Sequence, residues 1–424
     1  MQKIGNLVII ALVILNIVVW LVFPPVYDGD PNFLRKYAGE VIGSNNIVLM
    51  ACSLFLATRP KWAEKYFGGL DKMYMTHRHT GTAAFLLIFV HVLTVPISTT
   101  GWRLGNYLGV IAFTGIVSIV LVTLAPRIPF LNRLTGGDYE NWKKLKRWIG
   151  IFFILGFFHS LTVDALDARI AITWTMIFFI IGTVSYLYTE VFSGFFRKSL
   201  PYKVEAVRHP NGSSTEVTLR AKKAPIKKQR AGQFLFVRFP GEKALNESHP
   251  FTISSAPAED VLRLTIKASG DFTRDLFAKL KEGTDAVIEG AHGMFDYKKG
   301  GQKQIWIAGG IGITPFLSFI RDMDGNLAHD VDFYYTVRHP DEALFLEEIK
   351  AADERNARLR THIRFSATQG SLTIDYILQN IIGNIKEYHV YLCGPWPMIQ
   401  AFERKFLELG VPKNQIHFEE FNFR

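Results

Sequence analysis

The long apolar runs of this chain are nearly all confined to residues 1–195, while residues 200–424 read as an ordinary soluble mixture. A hydrocarbon layer about 30 Å thick is crossed by a helix of about 20 apolar residues. Six segments suit that role, near 4–23, 41–58, 79–97, 104–125, 148–163 and 172–193. The expected fold is therefore multidomain: a six-helix transmembrane bundle over residues 1–199, then a soluble half of different character. The first run, MQKIGNLVIIALVILNIVVWLVF, has a basic start like a signal peptide. Its apolar stretch runs for about 20 residues and no small-residue cleavage site follows, so it reads as a retained first span.

A net charge of +10 raises the question of a polyanionic partner. The charge lies instead in alternate linkers. Residues 59–78 carry Arg59, Lys61, Lys65, Lys72 and Arg78, and residues 126–147 carry Arg127, Arg133, Lys143, Lys144, Lys146 and Arg147. The three opposite linkers hold only Arg35, Lys36, Arg103 and Arg169. Without a basic stripe interleaved with aromatics, nucleic acid is excluded as a partner. Basic linkers stay on the cytoplasmic side. That predicts a multi-pass protein of the cell (inner) membrane, with both termini and the soluble half in the cytosol. Cys52 and Cys393 make no disulfide framework, which fits a reducing compartment.

Ionisable side chains at membrane depth are costly and usually functional. His77 and His91 are 14 residues apart in one span, so they share a helix face about 21 Å apart along the axis. His79 points about 200° away from His77. Two imidazoles stacked on one face suit two b-type haems, each with one ligand from this helix and the other from elsewhere. His159, in span five, matches the depth of His91. The position opposite His77 holds Lys146, leaving one or two haems as the expectation. The spacing of His77 favours two.

In the soluble half, short alternating strands at 202–208, 215–221, 233–238, 250–254 and 261–267 predict a small antiparallel β-barrel over 200–299. From about 303 the pattern becomes strand, glycine-rich turn, helix, strand, which predicts an α/β nucleotide-binding domain over 300–424. After AGQFLFVRF (231–239), HPFTISSAP (249–257) is an apolar strand ending in hydroxyl residues, able to lie along a flavin. KASGDFTRDL (267–276) offers Lys267, Gly270 and Thr273 at a helix start whose amides suit a pyrophosphate. WIAGGIGITPFLSFI (306–320) runs from a strand through a glycine turn into a helix started by Pro315, letting a dinucleotide approach the backbone closely. VYLCGPWPMIQAF (390–402) puts Cys393 and Gly394 at the carboxyl end of a strand, where ligands bind in open α/β sheets.

Together HPFTISSAP, GGIGITP and LCGPWPM resemble the ferredoxin–NADP reductase family, in the version fused to a ferric-reductase-like membrane domain. LDKMYMTHRHTG and the His77–His91 span resemble that membrane domain, and nearly the whole chain is similar to bacterial homologues of NADPH oxidases. The resemblance implies a route from NAD(P)H through FAD and b-type haem to an acceptor across the membrane. It implies that His249, Pro250, Phe251 and Thr252 meet the flavin, with Thr252 near its reactive ring. Gly309, Gly310, Gly312, Thr314 and Pro315 would form the nicotinamide-nucleotide site, and Cys393, Gly394 and Pro395 would lie beside the nicotinamide. The tail FEEFNFR resembles an aromatic C-terminus that covers the flavin, with Phe421 the expected ring. HPFTISSAP lacks the arginine that simpler reductases of the family use on the flavin phosphate, which implies loosely held FAD. Lys146 departs from the family's histidine.

Arg338, in YYTVRHP, follows the second strand of the nucleotide domain, where a guanidinium suits a 2′-phosphate. NADPH is the expectation, with NADH open. Molecular oxygen, reduced to superoxide, is the leading acceptor. A ferric chelate is the alternative, as is a partner protein or quinone. The short outer linkers 24–40, 98–103 and 164–171 argue against a large docking surface.

Overall fold

The structure is a computed structural model and describes residues 4–96, 101–124, 145, 147–163, 166–193, 199–323 and 328–419. The chain divides into two compact units, Met1–Phe196 and Arg197–Arg424.

The first unit is helical: α1 (Ile4–Val22), α2 (Phe33–Ala57), α3 (Leu70–Thr94), α4 (Leu104–Leu124), α5 (Ile149–Thr162) and α6 (Arg169–Leu187). Its surface inverts the soluble pattern. Large apolar side chains such as Leu7, Leu21, Leu86, Leu93 and Val184 face outward, while Asn16, Ser44, Asn45 and Asn46 are buried. Such polar groups hydrogen-bond between helices. Asn16 Nδ2 donates to Ser44 Oγ at 2.9 Å, and Asn46 Nδ2 to the Ala84 carbonyl at 2.6 Å. α2 is central, packing on α1, α3 and α6, and α4 packs on α5.

Among the described residues four helices, Ile4–Val22, Phe33–Ala57, Leu104–Thr123 and Arg169–Phe192, are long and apolar enough to cross a membrane by length and composition. The sequence expectation of six is thus met in part. The Leu70–Thr94 helix carries Asp71, Lys72, Arg78 and three histidines, which lower its hydropathy, and Ile149–Thr162 has 14 residues.

The second unit holds two sheets. β1 (Leu200–Asn211), β2 (Ser214–Ala221), β3 (Phe234–Arg238), β4 (His249–Thr252), β5 (Val261–Lys267) and β6 (Asp285–His292) form an antiparallel sheet in the order β4-β3-β6-β1-β2-β5. An Ile253–Leu264 bridge and the Ser254 N–H donating to the Arg263 carbonyl at 2.8 Å bring its two edges together. Val204, Val217, Leu235, Leu264 and Ile288 fill the interior. α7 (Asp271–Lys279) follows β5.

β7 (Lys303–Gly309), β8 (Asp330–Val337), β9 (Leu359–Phe365), β10 (Tyr388–Cys393) and β11 (Ile416–Glu419) make a parallel sheet ordered β11-β10-β7-β8-β9. Ile305, Trp306, Ile307 and Ala308 are wholly buried in β7, as a parallel strand covered on both faces demands. One core holds Trp306, Phe316, Phe319 and Phe333, and the other Ile305, Ile307, Leu392 and Phe406. Strand order reverses between β7 and β10, so ligands belong outside the carboxyl ends of those two strands.

Candidate functional sites

In the helical unit, α3 and α5 bring His91 and His159 together edge-on, ring centroids 6.2 Å apart and planes at 82°. His91 Nδ1 lies 2.9 Å from the Gly39 carbonyl and His159 Nδ1 lies 2.8 Å from the Gly105 carbonyl. A carbonyl only accepts, so each Nδ1 carries the proton and each Nε2 keeps its lone pair. A hydrogen bond of this kind orients a metal-ligating imidazole. An imidazole nitrogen sits about 2 Å from a bound metal, with its ring centre about 1 Å beyond, so two axial imidazoles have centroids about 6 Å apart. The observed pair fits that spacing.

Each ring is seated by a pair of glycines four residues apart. Gly39 and Gly105 supply the carbonyls, and Gly43 and Gly109 supply the room. A Cβ on Gly43 would lie 3.2 Å from His91, and one on Gly109 would lie 2.7 Å from His159 Nδ1. His77 repeats the arrangement, its Nδ1 lying 2.8 Å from the Ser53 carbonyl and 2.9 Å from the Ser53 hydroxyl. The two acceptors on α2, Gly39 and Ser53, are 14 residues apart (39 to 53), as are His91 and His77 (77 to 91). Lys146 lies outside the described residues. Among the described residues no three His, Cys, Asp or Glu side chains cluster to hold a metal ion.

In the second unit, His249, Pro250, Phe251 and Thr252 constitute β4. Phe272, in the first turn of α7, stacks on His249 with centroids 3.9 Å apart. That contact sets the start of α7 beside β4. There the Gly270 N–H and Ser269 N–H both donate to Thr273 Oγ1 at 2.9 Å, closing the turn. Lys267 ends β5, with Nζ 3.8 Å from Glu342. Thr252 is buried, and its Oγ1 makes no hydrogen bond among the described residues. A buried hydroxyl left so is costly, and a flavin ring edge offers the partner it lacks.

At the switch point, Gly309 ends β7, Gly310 and Gly312 make a 3₁₀ turn, and Thr314 and Pro315 open α8 (Thr314–Asp322). Cys393 ends β10, followed by Gly394 and Pro395. A Cβ on Gly312 would collide with the Cys393 carbonyl, so only glycine lets the turn press against β10. Gly310 has φ +55° and open space where a Cβ would stand. The Cys393 thiol is wholly buried; burial, then the negative charge of Glu419, push its pKa well above the ordinary value. It stays protonated, which makes it a poor nucleophile. Arg338 lies exposed just past β8. Phe421 lies outside the described residues.

Residues 42–107 match a ferric reductase like transmembrane component, residues 200–308 an FAD-binding domain and residues 306–404 an oxidoreductase NAD-binding domain. The chain is a ferric-reductase-like fusion. Among relatives of the fusion, the carnitine monooxygenase reductase subunit of Escherichia coli is 29% identical over 181 residues, 41% of this chain and 53% of that one. The ferredoxin reductase component of 3-ketosteroid-9-alpha-monooxygenase from Rhodococcus rhodochrous is 25% identical over 46% of this chain and 56% of its own. The fusion spans about half the length of the curated relatives it matches. A flavohemoglobin from Malassezia yamatoensis aligns over 91% of the fusion and 97% of its own chain, with TM-score 0.54 and 16% identity, a likeness of fold alone.

Proposed function

We propose that the fusion carries electrons from cytosolic NAD(P)H through FAD and b-type haem to molecular oxygen on the outer side, forming superoxide. One NAD(P)H and two oxygen molecules would give NAD(P)⁺, a proton and two superoxide ions. The observation that carries this reading is the His91–His159 pair, ring centroids 6.2 Å apart and each Nδ1 on a backbone carbonyl, which could together hold a haem, in a chain that also holds FAD- and NAD-binding domains. FAD, when bound, takes both electrons of a hydride and releases them singly, while haem iron takes one at a time.

In this reading Thr252 orients the flavin ring, with His249, Pro250 and Phe251 along its edge. The turn of Lys267, Gly270 and Thr273 receives the pyrophosphate. Gly309, Gly310, Gly312, Thr314 and Pro315 hold the nicotinamide nucleotide, and Cys393, Gly394 and Pro395 wall the nicotinamide. Phe421 covers the flavin face until nicotinamide arrives. Arg338, exposed at the end of β8, favours NADPH over NADH. Six spans, with both termini cytoplasmic, would place His91 and His159 toward the outer leaflet and His77 toward the inner. A second haem at His77 is supported by its repeating the His91 arrangement.

The test is cytochrome c reduction by purified protein with NADPH or NADH, with and without superoxide dismutase, beside a ferric chelate assay. Dismutase should suppress most of the cytochrome c signal. A signal untouched by dismutase, with rapid chelate reduction, would replace oxygen by ferric iron as the acceptor. A second reading, a redox subunit feeding a partner protein or quinone, is favoured by the relatives being reductase components of monooxygenases. Oxygen and chelate reduction would then both be slow until the partner is supplied.

FAD is expected to be lost in detergent. HPFTISSAP lacks the arginine that the family resemblance leads one to expect on the flavin phosphate, and His249 there stacks on Phe272 instead. Added FAD should restore activity to depleted protein, and full activity after exhaustive flavin removal would overturn the flavin route.

A further inference from the structure

The glycine turn at the switch point and the flavin strand belong to different sheets, and one helix face joins them. Ser318 and Arg321 are three residues apart on α8, so they project on the same side. Ser318 Oγ donates to the Ser255 carbonyl at 2.7 Å, and Arg321 Nη1 donates to the Ser254 carbonyl at 2.8 Å. These acceptors lie two and three residues beyond Thr252. They are also fixed from the far side, because Arg263 N–H donates to Ser255 Oγ at 3.1 Å and Ser254 Oγ lies 3.1 Å from Thr265 Oγ1.

Arg321 is 7% exposed, and its charge is matched by carboxylates from a helix and from a strand of the antiparallel sheet. Its Nε and Nη2 donate to Glu348 at 2.7 and 2.9 Å, in the helix before β9, and Nη2 lies 3.6 Å from Glu216 Oε1 in β2. Burying a guanidinium with two carboxylates and a carbonyl fixes its geometry, since every departure leaves a buried charge unpaired. A planar fork gripping three elements at once is stiffer than an ammonium would be.

We propose that Ser318 and Arg321 are positioning residues that hold the nicotinamide turn at its working distance from the flavin strand. The inference rests on the hydride-transfer reading above. Both act through α8, whose first turn carries Thr314 and Pro315. A reactant displaced by about 1 Å can cost a hundredfold in rate, so these contacts should govern the transfer step rather than binding.

The experiment is anaerobic stopped-flow reduction of FAD in the full-length protein by NADPH and NADH, with NADP⁺ and NAD⁺ titrations for affinity. Arg321→Gln should lower the limiting rate by about tenfold to a hundredfold. Its FAD content and nucleotide Kd should stay within about twofold of wild type, and Arg321→Lys should recover part of the rate. Ser318→Ala, which removes one hydroxyl and is safe for folding, should lower the limiting rate in the same direction. Wild-type rates in both Arg321→Gln and Ser318→Ala, or a loss confined to Kd, would overturn the proposal. If Arg321→Gln does not fold, a wild-type rate in Ser318→Ala alone overturns it. Failure of both nucleotides to reduce flavin in the wild type would instead remove the hydride-transfer reading itself.

Discussion

His159→Ala is expected to remove the haem proposed between α3 and α5 and to cut electron delivery to any outer acceptor by about a hundredfold or more, since even partners that only orient a ligand are worth tenfold to a hundredfold. Flavin reduction by NAD(P)H, which uses the other unit, should persist. His91→Ala should do the same. Gly109→Leu offers a stricter check, because it leaves both imidazoles in the sequence. Its side chain would occupy the space of the His159 ring, where even a Cβ comes within 2.7 Å of Nδ1. If the pair is a metal site, the Soret absorbance should fall in all three variants. An unchanged spectrum in His91→Ala and His159→Ala would sink the site. Pyridine haemochrome quantitation then counts the haems: two per chain, falling to one in His77→Ala, supports a second site, and one per chain unaffected by His77→Ala removes it.

Hydropathy and alternation carried much of the fold. Five of the six barrel strands announce themselves as alternating runs between turn residues. β6 does not, because in DAVIEGAH the apolar residues run together between two acids instead of alternating, and its place between β3 and β1 follows from pairing. The glycine turn and the Cys393 motif are visible in the sequence, but the strand reversal that sets β7 beside β10 is not, since sheet order leaves no local trace. The histidines stand out at helical spacing. Their acceptors Gly39, Ser53 and Gly105 are backbone carbonyls, which any residue has, and only the paired glycines 39/43 and 105/109 hint at them. Arg321 had no signal at all: its partners Glu216, Ser254 and Glu348 are scattered over more than a hundred residues and meet only in the folded chain.

Two glycines of the same turn should fail in opposite ways, which separates binding from packing at the switch point. Gly310 stands at φ +55° with nothing within 4 Å of the missing Cβ, so the first atom of a Gly310→Val side chain enters open space. The left-handed backbone costs a side chain about 1–2 kcal/mol, a tolerable loss for a domain with this much buried core. The new side chain would, however, fill the space outside the carboxyl end of β7, where the dinucleotide backbone is proposed to lie. NAD(P)H-driven flavin reduction should therefore fall about a hundredfold or more, equivalent to about 2.7 kcal/mol. FAD content, thermal melting and reduction by dithionite should stay close to wild type. Gly312→Ala reverses the pattern. Its Cβ would overlap the Cys393 carbonyl and stand 2.7 Å from Gly394 Cα, both backbone atoms that cannot swing aside, so the turn and the end of β10 must part. The melting temperature should drop, and activity should fall with the folded fraction. Melting curves and dithionite-normalised reduction rates of the two variants check this. A Gly310→Val protein that still accepts electrons from NAD(P)H at the wild-type rate would mean the nucleotide does not cross this turn.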